Sequence, residues 1–145
     1  MFYFDTSFLV PLLIPEDSSE RVEAFFQQLP SGQALAVSHW TRVEFGSVLS
    51  RLVRMRQFEP SDARACAGHF NKLLDDSFHI ITPCKADFEC CWSFLTRFDN
   101  GLRAGDALHL AIVANLSAEK LYTLDNDLLQ AGGVLKLPVD RGITQ

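Results

Sequence analysis

Short apolar segments alternate with longer segments of helical periodicity along almost the whole sequence. Four apolar segments have the length and composition of buried strands: residues 2–5, 35–38, 78–82 and 121–124. A fifth candidate strand covers residues 134–137. Because strands that are joined through helices usually run parallel, this alternation predicts an α/β layer fold with a mostly parallel central sheet of four to five strands.

The segments between the candidate strands carry helical spacing or helix start and stop signals. They predict helices over residues 17–29, 39–56, 60–76, 86–98, 104–116 and 127–131, the last of them ended by Gly132 and Gly133. No linker composition divides the chain, and 145 residues is the usual size of one domain. We therefore expect a single domain over residues 1–145.

Composition and charge exclude several classes of protein. A hydrophobic fraction of 48% argues against disorder, and a net charge of −5 argues against a small basic nucleic-acid module. The N-terminal apolar run lacks a basic region and is interrupted by Asp5, and residues 8–14 are too short to span a membrane. We expect a cytoplasmic protein with four reduced cysteines, in preference to a zinc site of Cys84, Cys90 and a histidine.

Four acidic residues occupy the positions where parallel α/β sheets place their sites, beyond the carboxyl ends of the strands. Asp5 and Asp125 end strands, whereas Glu44 and Asp106 lie in the first turns of helices. Three of the four have structural alternatives. Thr41 and Glu44 have the spacing of a capping box, Asp106 could favour a helix dipole, and Asp125 could cap a helix. Asp5 lies among aromatic residues, where an unpartnered carboxylate is costly.

Four carboxylates that converge would repel one another, by about 4 kcal/mol for a pair 4 Å apart at an effective dielectric constant of 20. Such a cluster requires cations, and all-oxygen ligands favour Mg²⁺ or Mn²⁺ over zinc. These ions activate water and stabilise charge on an attacked phosphate. The pattern is therefore typical of phosphodiester hydrolysis.

The segments that carry these acids resemble the four acidic motifs of PIN domains. They are Phe4-Asp5-Thr6-Ser7, Thr41-Arg-Val-Glu44, Leu102-Arg-Ala-Gly-Asp106-Ala-Leu-His-Leu-Ala111 and Tyr122-Thr-Leu-Asp125. Their order and spacing are similar to those of the VapC-like toxins of bacterial toxin–antitoxin pairs, and the resemblance spans about residues 2 to 137. It implies a three-layer PIN-like fold.

The resemblance also implies an activity and its residues. A PIN domain of this kind would be an Mg²⁺- or Mn²⁺-dependent endoribonuclease, with Asp5, Glu44, Asp106 and Asp125 as metal-binding acids. It would form a homodimer and bind a small antitoxin that blocks the site. Thr6 would contact substrate or cap a helix, and Asp127 is an additional acid that could stand nearer the metal than Asp125.

Other polar residues receive weaker assignments. His109 follows Asp106 by one helical turn, but its apolar neighbours indicate a packing role. Four arginines and one glutamate between residues 39 and 57 give a local charge of +3, and Arg51 and Arg54 share a helix face. This stripe is a phosphate-binding surface, an ordinary solvated face or a contact for the antitoxin. Arg103, close to Asp106, is the first candidate for a substrate-phosphate contact.

Two other functions compete with a nuclease. A haloacid-dehalogenase-like phosphatase also carries an Asp after its first strand, but its chemistry needs a second acid two residues later, where this chain has Ser7. A non-catalytic RNA-binding or regulatory module on the same fold is the second alternative.

Overall fold

The structure, a computed structural model, describes residues 1–144, in which it has five strands and seven helices. The strands are β1 (Phe2–Phe4), β2 (Leu35–Ser38), β3 (His79–Ile81), β4 (Lys120–Tyr122) and β5 (Val139–Asp140). The helices are α1 (Thr6–Leu13), α2 (Ser19–Gln27), α3 (His39–Arg54), α4 (Pro60–Ser77), α5 (Lys85–Leu95), α6 (Ala104–Leu116) and α7 (Asn126–Val134).

The five strands form one sheet in the order β3-β2-β1-β4-β5, and every neighbouring pair is parallel. In register, Phe4 of β1 lies beside Tyr122 of β4, and Ser38 of β2 lies beside Ile81 of β3. The carboxyl ends of the strands therefore meet at one edge of the sheet. The predicted α/β class with a parallel sheet is confirmed.

Apolar cores lie on both faces of the sheet, because neighbouring residues of a strand point to opposite sides. Tyr3 packs on the side of α6, in a cluster that includes Leu110. Phe4 packs on the other side, with Phe8 and Phe70 from α1 and α4. Helices, sheet and helices thus form three layers, as the resemblance implied. Within residues 1–144, every helix is too short or too polar to span a bilayer.

Helix α1 was not predicted from the sequence, because Pro11 lies inside it. Proline removes one backbone N–H and disfavours a helix interior. The helix forms nevertheless, since Phe8 is completely buried in the core and tertiary packing outweighs local propensity. Its cap is the carboxylate of Asp5, which accepts a hydrogen bond from the backbone N–H of Phe8 at 3.2 Å, and not the hydroxyl of Thr6 or Ser7.

The C-terminal boundaries also differ from the prediction. Gly132 and Gly133 lie inside α7 instead of ending it, and the fifth strand is Val139–Asp140 instead of residues 134–137. A Cβ on Gly132 would overlap the Val139 side chain. The glycine is therefore explained by the close approach of β5 to α7, and not by a helix stop.

Candidate active site

The acids singled out in the sequence lie at the carboxyl-terminal edge of the sheet. Asp5 follows β1 directly, and Glu44 lies on α3, which begins immediately after β2. Asp125 follows β4 by three residues, and Asp106 lies in the first turn of α6. Parallel strands bring these four segments to the same edge although the residues are far apart in sequence.

Asp5 is the most deeply buried of the four acids, with 5% of its surface exposed. Its carboxylate accepts hydrogen bonds from the hydroxyls of Ser7, at 2.8 Å, and Thr123, at 3.0 Å, and from the N–H of Phe8. Burial raises the pKa of Asp5 to about 6, although the charge of His109 and these hydrogen bonds act to lower it. Desolvation therefore prevails, and the carboxyl group is poised close to protonation.

Glu44 is held by two side chains at one carboxylate oxygen. Its Oε2 accepts hydrogen bonds from His109 Nε2, at 2.7 Å, and from the Thr6 hydroxyl. Burial acts to raise the pKa of Glu44, but the hydrogen bond and the charge of His109 outweigh burial, and the pKa is lowered. The carboxylate is thus kept ionised.

The capping-box interpretation of Glu44 was wrong. The capping box at the start of α3 consists of Ser38 and Thr41, and the Thr41 hydroxyl accepts a hydrogen bond from the N–H of Ser38 at 3.3 Å. Glu44 takes no part in it. The acid is therefore available for a role in the site.

His109 is the residue of this site that the sequence analysis missed. It is buried, as expected of a packing histidine, but Nε2 binds Glu44 and Nδ1 is hydrogen-bonded to the Tyr3 hydroxyl at 2.8 Å. Burial alone would lower its pKa, but the hydrogen bond from Nε2 to Glu44 and the nearby charges of Glu44, Asp5 and Asp106 raise it. The available signal was the position of His109 one turn after Asp106, on the same face of α6.

The pKa of Asp106 indicates that the acids lie close to one another. Its pKa is raised first by burial and then by the charges of Asp125 and Glu44, while the charges of His109 and Arg103 act to lower it. Carboxylates separated by up to 62 residues in sequence therefore interact electrostatically in the fold. Arg103 is the exposed N-cap residue of α6, and its charge acts on Asp106.

Asp125 and Asp127 occupy different surroundings. Asp125 is the N-cap of α7, and its Oδ1 accepts hydrogen bonds from the N–H groups of Asp127, at 2.7 Å, and Leu128, at 3.2 Å. Asp127 is exposed and lines a separate hollow with Asp99. The structure brings Asp125 toward the other acids and turns Asp127 to another surface. Thr6, the remaining candidate, is buried and donates to Glu44.

The donor set fits a hard divalent cation that keeps much of its water. In residues 1–144, no three His, Cys, Asp or Glu side chains are gathered closely enough to hold a metal ion by themselves. Mg²⁺, however, commonly binds through one or two carboxylates and retains several waters. Asp125 Oδ2 accepts no aligned hydrogen bond from the described residues, so this oxygen is available to a cation.

Gly105 makes room for the Glu44 carboxylate. A Cβ at this position would lie 2.7 Å from Glu44 Oε1 and 3.3 Å from Trp40 Nε1. The indole nitrogen is buried, and its interaction with the Glu44 carboxylate helps to lower the pKa of Glu44. The close approach of α6 to α3 at this glycine therefore decides where the Glu44 carboxylate can lie.

Comparisons with known proteins identify the family. The PIN domain family model matches residues 2–134 of the chain. Among solved structures, the chain is similar to VapC20 of Mycobacterium tuberculosis, described as a sarcin-ricin loop cleaving toxin, with 20% identity, coverage of 91% of this chain and 95% of that chain, and a TM-score of 0.72.

Two further solved structures cover nearly all of both chains. FitAcB from Neisseria gonorrhoeae has 17% identity, 98% coverage of each chain and a TM-score of 0.72. VapBC2 from Rickettsia felis, bound to a DNA fragment from its promoter, has 13% identity, coverage of 97% of this chain and 98% of that chain, and a TM-score of 0.73. No curated protein sequence gives a significant match. These likenesses establish the fold.

Proposed function

Because the chain belongs to the PIN domain family, we propose that it is an Mg²⁺- or Mn²⁺-dependent endoribonuclease and the toxin of a type II toxin–antitoxin pair. Two proteins of similar structure support this proposal, since one is described as a toxin that cleaves the sarcin-ricin loop and the other is a VapBC complex on promoter DNA. The proposal includes a cognate antitoxin, a homodimer and a cytoplasmic location.

One observation carries the nuclease proposal: Asp5, Glu44, Asp106 and Asp125 lie at the same edge of the parallel sheet, where the charges of Asp125 and Glu44 act to raise the pKa of Asp106. Like charges placed together destabilise the protein unless a cation compensates them. A purely structural role for each acid would not require them to share one site. The coupling therefore favours a function that uses a divalent ion.

The residues of the candidate site have two different roles in this proposal. Asp5, Glu44, Asp106 and Asp125 would hold the cation, one or two of them directly and the others through the waters that it keeps. The cation, when bound, activates water and stabilises charge on the attacked phosphate. His109 and Thr6 orient the Glu44 carboxylate through Oε2.

Two residues are proposed to bind substrate. Arg103 stands at the start of α6 beside Asp106 and is exposed, so its guanidinium can contact a phosphate. Thr6 is the second, because its hydroxyl lies against the Glu44 carboxylate inside the candidate site. Asp127 is left out of the site because it lines another surface.

Cleavage of single-stranded RNA by the purified chain tests the proposal. We expect cleavage with Mg²⁺ or Mn²⁺ and none with EDTA. Asp5→Asn, Glu44→Gln, Asp106→Asn and Asp125→Asn should each lower the rate by about a hundredfold or more, since each weakens several kcal/mol of metal-dependent stabilisation. Asp62→Asn, an exposed acid on α4, is the control and should cleave normally.

Equal cleavage by the wild type and Asp5→Asn would remove the assignment of the site. Binding of RNA without metal-dependent cleavage would instead support a non-catalytic RNA-binding or regulatory module. Growth arrest on expression, relieved by the product of a neighbouring small reading frame, tests the toxin assignment separately.

A further inference from the structure

Two adjoining hollows extend the candidate site along the surface. The first, of about 300 Å³, reaches the site at Ser7 and Asp125. The second, of about 400 Å³, lies farther along, toward the C-terminal segment. Glu16 and Leu124 line both hollows, so the two are continuous. We call them together the flanking groove.

The flanking groove is rich in arginine although the chain is acidic overall. Arg51 lines the first hollow, and Arg21 and Arg141 line the second. None of the three forms an ion pair with a carboxylate in residues 1–144. Apart from Asp125 at its inner end, Glu16 is the one acid among the described lining residues. Three arginines against two acids give the groove a net charge of +1 in a chain that is acidic overall.

Arg141 is already fixed in place. It donates a hydrogen bond to the backbone carbonyl of Leu124 at 3.4 Å and another to the side chain of Asn126. Both partners are uncharged, so the guanidinium keeps its full charge for an anionic ligand. A guanidinium held in this way binds phosphate with less loss of side-chain entropy than a free one.

The position of the groove indicates which class of polyanion binds there. It begins at Asp125, an acid proposed to hold the cation at the cleaved phosphodiester. An RNA chain must continue from that point in both directions, and its repeating phosphates match arginines that are spread over two hollows. An acidic peptide would meet the same arginines, but nothing would require it to continue from a cleaved phosphodiester at Asp125.

We propose that the flanking groove binds the RNA backbone on one side of the cleaved bond, with Arg51 and the pair Arg21 and Arg141 contacting different phosphates. This inference rests on the proposed nuclease function and names a part of the chain that the four acidic motifs do not include. The apolar wall of the first hollow, formed by Val48 and Leu52, would then face the sugars or bases.

Kinetics on RNAs of two lengths test the groove. The variants are Arg51→Ala, Arg21→Ala and Arg141→Gln, with Arg64→Ala on α4, also exposed, as the matched control. Melting curves establish that each variant is folded. The substrates are labelled RNAs of about four and about twenty nucleotides, because a groove of this kind serves only the longer chain.

On the longer RNA, each groove variant should lower kcat/KM by about five- to thirtyfold, mainly through KM. The slope of log kcat/KM against log salt should become shallower by about 0.7 for each phosphate that the variant no longer neutralises. The decrease on the four-nucleotide RNA should be smaller, and Arg64→Ala should match the wild type on both substrates. Glu16→Gln should lower KM for the longer RNA, because it removes the acid that opposes the arginines.

Unchanged KM and salt slope in the groove variants would overturn the inference while the nuclease function stands. Weaker binding of poly-L-glutamate with unchanged RNA kinetics would also overturn it and assign the groove to an acidic protein segment. If the wild type cleaves no RNA, the groove is tested by binding of the longer RNA, measured by fluorescence anisotropy. Arginine-dependent binding would support the groove although the nuclease proposal had failed, and absence of binding would reject both.

Discussion

At the scale of single residues, burial and hydrogen bonding act on the pKa of Asp5 in opposite directions, and burial has the larger effect. Its pKa is raised from 3.8 to about 6 although Ser7, Thr123 and Phe8 all donate to the carboxylate. Between these two pH values the folded, metal-free protein holds a proton that the unfolded chain has released. Its stability therefore falls as the pH rises from about 4 to about 6 and stays lowered above that range.

Replacement of Asp5 by Asn should remove this pH dependence. Asp5→Asn avoids the buried charge, so in EDTA at pH 7 the free energy of unfolding should rise by about 2 kcal/mol. Urea unfolding at several pH values measures it, with Asp62→Asn as the control. An Asp5→Asn protein that is less stable than the wild type at pH 7 would show that the hydrogen bonds, and not the desolvation, dominate.

The Tyr3 hydroxyl is expected to stabilise the buried His109. Tyr3→Phe would leave Nδ1 of His109, which is 1% exposed, without its partner. An unsatisfied buried polar group lowers the free energy of unfolding by about 1–3 kcal/mol. Tyr122→Phe is the matched control, because burial and nearby charges act on the pKa of the Tyr122 hydroxyl without a hydrogen bond from the described residues. Equal stability of the two variants in urea would argue against a structural role for the Tyr3–His109 bond.

At the scale of elements, the approach of α6 to α3 is controlled by one glycine. The Cβ of Gly105→Ala would lie 2.7 Å from Glu44 Oε1, so the carboxylate must shift against its hydrogen bonds from His109 and Thr6. The free energy of unfolding should therefore fall by about 1–3 kcal/mol, and RNA cleavage should fall about tenfold or more because Glu44 is displaced. Gly68→Ala, with open space around its Cβ on α4, should keep full activity. Unimpaired cleavage by Gly105→Ala would contradict the role of Glu44.

The packing of β5 on α7 can be tested with a matched pair of variants at two adjacent glycines. Gly132→Ala would collide with Val139, whereas Gly133→Ala meets open space. Overpacking should destabilise the first variant by about 1–3 kcal/mol. Removal of a helix-interior glycine should stabilise the second by up to about 1 kcal/mol. Thermal unfolding of both proteins measures the difference, and a Gly132→Ala protein as stable as Gly133→Ala would show that β5 is not packed tightly on the helix.

At the scale of the whole molecule, a chain with a net charge of −5 concentrates interacting carboxylates at one edge of its sheet. Mg²⁺ that binds there stabilises the folded state by mass action. At tenfold excess over its dissociation constant it should contribute about 1.4 kcal/mol and raise the Tm by about 4–5 °C. NaCl at equal ionic strength controls for screening, and Asp106→Asn should reduce the shift. An equal rise with NaCl would mean that no specific cation site exists.

The fold was largely predictable because its strands and helices are marked by local patterns. Residues 35–38 are a predicted strand with the bounds that the structure has, and the sequence also indicated the helix at 104–116. Helix α1 was not predictable, since Pro11 argues locally against it and only the burial of Phe8 compensates. The fifth strand was predicted too early in the chain because Gly132 and Gly133 have the pattern of a helix stop.

The sequence by itself determined the class of fold and the kind of side chain at the ends of its strands, because periodicity and strand-terminal acids are local properties. Only the tertiary structure decided which atoms meet. It joined Glu44 to His109 across 65 residues, turned Asp127 away from Asp125, and placed Arg51 in one groove with Arg21 and Arg141. Such contacts depend on how the layers pack, and no spacing within the chain specifies them.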